Sequence, residues 1–120
     1  MKIWKQEQIN ELNINNQELK LRMSEMIAIL DDSYGVERDV NDLGGYILWI
    51  QDSDKEELNS FLEQYPILVP EYVEISTLYK QYKLVEMLFL LSSDYSVVVY
   101  CDYELIKEYP AIMSELNINE

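Results

Sequence analysis

The chain has 120 residues, 23 of them Asp or Glu against nine Lys or Arg, with no histidine and a formal charge of −14. So strong a field repels nucleic acid and anionic membrane and attracts basic surfaces. The missing histidines remove the usual general base and the commonest metal ligand.

High charge marks a disordered chain only when hydrophobicity is low. Here 48% of residues are apolar and 12% aromatic, so the chain folds. The length suits one domain with one core, read as a single globular unit over 1–120 with short frayed ends at 1–15 and 111–120. No apolar run exceeds five residues, far below the ~20 that span a bilayer. The first residues lack the apolar stretch of a secretory signal, and the single cysteine, Cys101, makes neither an internal disulfide nor a zinc site. These features point to a cytoplasmic protein without membrane contact.

In chain order, Leu19, Met23, Met26, Ile27 and Leu30 recur at helical spacing, with Asn16 as N-cap and Tyr34-Gly35 as a stop. Val36 to Gly45 reads as a loop, Gly44-Gly45 allowing a tight entry into the next segment. Tyr46 to Ile50 is apolar on both faces and rich in β-branched and aromatic residues, the pattern of an inner, buried strand. Ser53 and Glu56 have capping-box spacing, and Leu58, Phe61, Leu62 and Tyr65 continue a helix that Pro66 ends. Val73 to Leu78 is read as a strand or a continuation of helix. Val85, Met87, Phe89 and Leu91 alternate, Ser92-Ser93-Asp94 turns, and Val97 to Cys101 returns as a hairpin. Asp102 caps a last short helix, Tyr103 to Tyr109, stopped by Pro110.

The fold class expected is α+β: an N-terminal helix, then β-α-β-β-β-α, building a four-stranded mixed sheet with helices packed on it. A right-handed crossover would join the first two strands, and a meander would follow. One echo stands out, Glu11-Leu12-Asn13-Ile14-Asn15 recurring as Glu115-Leu116-Asn117-Ile118-Asn119. Five residues imply no repeat architecture.

The chemistry is sparse. Asp39, Asn41 and Gly44 begin like a calcium loop, but the twelfth place is Ile50, where a glutamate is needed. Asp52, Asp54 and Glu56 alternate without a glycine to bend the chain around an ion. Cys101 ends a valine-rich strand with no histidine to activate it. Tyr79 and Tyr82, beside Lys80 and Lys83, form a basic-aromatic patch too weak to hold nucleic acid against the net charge. No catalytic residue, metal ligand or cofactor site is assigned, and the chain reads as a non-enzyme.

What remains is an acidic surface set with tyrosines, of which there are ten. Residues 31–57 hold nine acids against two bases, and 84–120 hold seven against one. Tyrosine gives rigid, amphipathic contact area at low entropic cost. The partner-binding set expected is therefore Asp31, Asp32, Tyr34, Asp39, Asp42, Asp52, Asp54, Glu56, Glu57, Asp94, Tyr95, Asp102 and Tyr103. Spaced carboxylates stand in for phosphates, so the expected partner is a basic surface of a nucleic-acid-binding protein or nuclease, masked by an inhibitor. In size and acidity the chain resembles phage-encoded anti-defence and toxin-immunity proteins, a likeness of composition that carries over no residue. The other reading is a scaffold or small-ligand-binding domain, with a pocket lined by Trp49, Tyr72 or Phe89, whose charge confers only solubility.

Overall fold

A computed structural model describes residues 1–14, 16–30, 44–50, 55–66, 68–75, 84–92 and 95–116. Ten elements follow in chain order: β1 (Lys2–Ile3), α1 (Gln6–Glu11), α2 (Gln17–Leu30), β2 (Gly44–Trp49), α3 (Lys55–Gln64), β3 (Tyr72–Ile75), β4 (Leu84–Ser92), β5 (Tyr95–Asp102), α4 (Tyr103–Ile106) and α5 (Pro110–Leu116). The fold is α+β. The four expected strands form one mixed sheet, and the two-residue β1 adds a fifth at its edge, giving the order β1-β2-β5-β4-β3.

The local signals behave as their chemistry requires. Asn16 Oδ1 accepts from the Leu19 amide at 3.1 Å, capping α2. The buried stripe of α2 is Leu19, Met23, Ile27 and Leu30, with Met26 only partly buried at its margin. Asp102 accepts from the Glu104 amide at 2.8 Å and so starts α4. Pro110 does not merely stop a helix. It opens α5 at the first helical position, where its missing N–H costs nothing, so the expected helix over Tyr103–Tyr109 is a single turn, α4, followed by a second helix.

The topology differs from the sequence reading at one point. The first long strand, β2, does not neighbour β3; it pairs in parallel with β5, from Gly44↔Tyr95 to Trp49↔Tyr100. The meander β3-β4-β5 holds, with both pairs antiparallel. Burial decides the order. From Ser96 to Cys101 every β5 residue is buried, so this strand takes the centre, and the four-residue β3 is left at the edge. With β1 on its other side, β2 is an inner strand as expected. Gly44 and Gly45 belong to the strand itself rather than to a loop before it.

Helices cover both faces. On one, Leu19, Met23, Ile27 and Leu30 of α2, with Ile9 of α1, pack on Ile47, Trp49, Val98 and Tyr100. On the other, Leu58 and Phe61 of α3, Leu105 and Ile106 of α4, and Ile112 of α5 pack on Tyr46, Leu48, Met87, Phe89, Val97 and Val99. The N-terminal end is more ordered than its sequence suggests, because Ile3, Ile9 and Ile14 are buried in the α2-side core. There the first Glu-Leu-Asn-Ile-Asn copy ends α1 at Glu11 and drops Ile14 into that core. The second copy also begins at a helix end, with Glu115 and Leu116 closing α5; Asn117 to Asn119 lie outside the described residues.

One polar group crosses the apolar α2 layer. Glu86 of β4 is 4% exposed. It accepts from Arg22 Nε at 2.9 Å, from the same guanidinium at 2.7 Å through its other oxygen, and from the Tyr100 hydroxyl. These donors offset the cost of burying the carboxylate and fix α2 against the sheet.

Candidate functional site

The parallel pairing of β2 with β5 decides where the acidic residues meet. Both strands run the same way, so the segments that leave them emerge at one end of the sheet. From β2 the chain leads to the first turn of α3, with Glu56 exposed and Glu57 half-buried. From β5 it leads to Asp102 and α4, with Glu104 exposed. The two exits are tied together. Lys55 Nζ contacts Glu108 Oε1 at 2.7 Å, the Tyr109 hydroxyl donates to Asn59 Oδ1, and the Ile50 amide donates to the Tyr100 carbonyl at 2.9 Å.

This end thus gathers Glu56, Glu57, Asp102, Glu104 and Glu108. The cations beside it are engaged: Lys55 with Glu108, Lys107 with Glu104 at 3.4 Å and over the Tyr103 ring at 4.9 Å, and the Met1 ammonium with Glu57. The hydrogen bond to Glu108 raises the Lys55 pKa, so that lysine stays charged. Both lysine pairs are exposed, and such pairs exchange readily for a partner's charges.

The opposite end of the same two strands is aromatic. Trp4 packs on Tyr46 with ring centroids 4.6 Å apart, Tyr95 meets Tyr46 edge-on at 6.4 Å, and Lys2 sits 5.1 Å from the Tyr46 ring centre. Burial, helped by Tyr65, Tyr95 and Glu57 nearby, pushes the Tyr46 hydroxyl up to about 12. The neutral phenol is therefore the folded form, and its contribution, fully present below the ordinary tyrosine pKa, is lost as pH rises from there through about 12.

Of the expected contact residues, Glu56, Glu57, Asp102 and Tyr103 come to one end. Tyr95 lies at the other, roughly 20 Å away along β5. Tyr103 is only 8% exposed and belongs to the α3-side core, so its ring supports the acidic end from beneath. Asp31, Asp32, Tyr34, Asp39, Asp42, Asp52, Asp54 and Asp94 lie outside the described residues, as do Ser53 and the Tyr79–Lys83 patch. Glu104 and Glu108 were not singled out by sequence. Their signal was weak: a carboxylate just after a cap residue, and one spaced to face a lysine 53 positions away.

Of the residues expected to line a ligand pocket, Trp49, Tyr72 or Phe89, two fall on opposite faces of the sheet. Trp49 is buried on the α2 face and Phe89 on the α3 face, so the sheet separates them. A surface pocket of about 100 Å³ between β1, β2 and α3, lined by Lys2, Tyr46, Glu57, Phe61 and Gln64 among others, is smaller than the ~300–1,000 Å³ usual for small-molecule sites. Cys101 is fully buried, and burial drives its thiol pKa far upward, away from the thiolate that a nucleophile requires. Among the described residues no three carboxylate or cysteine side chains gather as a metal site, and no helix is long and apolar enough to cross a membrane.

Comparison with known proteins adds no relative: no family model, curated protein or solved structure matches the chain.

Proposed function

We propose that this chain is a non-enzymatic, cytoplasmic protein-binding inhibitor that covers a basic surface of a nucleic-acid-binding protein or nuclease, its carboxylates taking the places of phosphates. One observation carries the reading. The parallel β2/β5 pair brings carboxylates from both acidic stretches of the sequence to a single end of the sheet, on rigid helix starts. Such preorganised charge speeds association and rejects acidic competitors more than it adds raw affinity. An origin among phage anti-defence or toxin-immunity proteins would suit that role.

The test begins with affinity capture of the partner from the native host. The purified partner is then loaded with fluorescent nucleic acid and titrated with this protein. Displacement of the nucleic acid at near-equimolar protein is the expected result. A ternary complex that retains the nucleic acid would refute the mimic. Failure of the captured partner to bind nucleic acid at all would refute it equally.

A further inference from the structure

The outer face of α2 combines features that its packing does not explain. The helix buries Leu19, Met23, Ile27 and Leu30, yet it also exposes Leu21 at 61% and Ile29 at 54%. Glu18 and Glu25 are exposed with them. At 100° per residue these four positions fall within an arc of about 80°, on a strip about 16 Å long, with the two apolar side chains about 12 Å apart. The strip is bounded on both sides. On one, the Gln6 side chain donates to Ser24 Oγ at 2.7 Å, holding α1 alongside. On the other, Arg22 turns down to Glu86. Lys20 lies about 100° around the helix from Leu21, so the strip itself carries carboxylates and apolar groups without a cation.

We propose that this face of α2 is a docking surface for a basic amphipathic helix of a partner protein. Leu21 and Ile29 would receive apolar side chains one face-repeat apart, while Glu18 and Glu25 pair with lysine or arginine beside them. Charge complementarity selects this occupant. A second copy related by two-fold symmetry would set Glu18 and Glu25 against one another across the contact. An anionic lipid surface would be repelled in the same way. The surface takes from the proposed function only its premise of a basic protein partner. It lies on the other side of the sheet from the acidic end, so the two contacts fail or hold separately.

The probe is a synthetic leucine–lysine peptide with helical amphipathic spacing, compared with a scrambled peptide of the same composition, by calorimetric titration at physiological salt. The patterned peptide is expected to bind more tightly than the scrambled one. The double variant Leu21→Ser/Ile29→Ser, which leaves the net charge unchanged, is expected to weaken the patterned peptide about tenfold, the loss of one or two anchoring contacts. Both side chains are exposed, so its circular dichroism should match wild type. Glu56→Gln/Glu104→Gln, at the far acidic end, is expected to leave the difference between patterned and scrambled peptides nearly unchanged. Equal binding of patterned and scrambled peptides, or no effect of the Leu21/Ile29 variant, would overturn the assignment. Self-association of the wild type that disappears in that variant would also overturn it, giving the face to a second copy. If the far-end variant alone abolishes peptide binding, the α2 assignment falls while the acidic-end reading stands.

Discussion

Replacing Gly45 with alanine is expected to be among the most damaging single changes in this protein. Gly45 has φ +142°, a region that side chains other than hydrogen rarely enter. It pairs with Ser96 across the one parallel ladder among the described residues. A Cβ there would lie 1.6 Å from the Ser96 carbonyl oxygen, with backbone rather than a flexible side chain in the way. Strain at such a φ costs roughly 1–3 kcal/mol and overpacking typically another ~1–3 kcal/mol. Together they take a large share of the ~5–15 kcal/mol that holds an ordinary domain together. Urea unfolding checks it. A loss below about 1 kcal/mol would mean that β2 and β5 do not approach as described, and the meeting of the acidic segments would fail with them.

Trp49→Ala should cost about as much, roughly 3–5 kcal/mol. The indole is 4% exposed in the α2-side core. It packs at a tilt on Tyr100, centroids 6.4 Å apart, and its backbone amide and carbonyl both bond to Met1 at 2.8 Å. Truncation leaves a cavity under α2 that a rigid sheet cannot close. The side chain matters here and the backbone bonds do not change, so Trp49→Phe should recover much of the loss. Calorimetric unfolding of the two variants separates packing from any disturbance of β1. Near-equal, small losses would put the indole at the surface.

How much of this was readable in the sequence depends on whether the deciding forces are local. The α2 stripe, the hairpin of β4 and β5, and the Asn16 and Asp102 caps follow from spacing and from side chains that bond within a few residues, and they appear where those rules put them. Tyr46 to Ile50 was recognisable as inner because it is apolar on both faces. The partner of β2 was not. Choosing β5 over β3 is a contest for the central position, settled by burial summed over a whole strand. The charge pattern along the chain is likewise silent on which acids meet in space. Residues 31–57 look like one acidic block along the chain, but β2 runs through the middle of it, so its two halves attach to opposite ends of the strand. What gathers among the described residues is Glu56 and Glu57 of that block with Asp102, Glu104 and Glu108, a grouping visible only once the parallel register is known. Glu86, one acid among many in the sequence, gave no sign that it was a buried partner of Arg22 and Tyr100.

The most direct test of the acidic end is the association rate with the captured partner as a function of ionic strength. Wild type would be compared with a variant carrying Glu56→Gln, Glu104→Gln and Glu108→Gln. The Debye length shortens from ~30 Å at 0.01 M salt to ~8 Å at 0.15 M, so steering between exposed charges fades while close contacts persist. The wild-type rate should approach ~10⁸–10⁹ M⁻¹s⁻¹ at low salt and fall steeply as salt is added. The neutralised variant should associate more slowly at low salt, converge on wild type at high salt, and dissociate at a similar rate throughout. An association rate indifferent to both salt and neutralisation would contradict the assignment and leave the charge as a means of solubility alone.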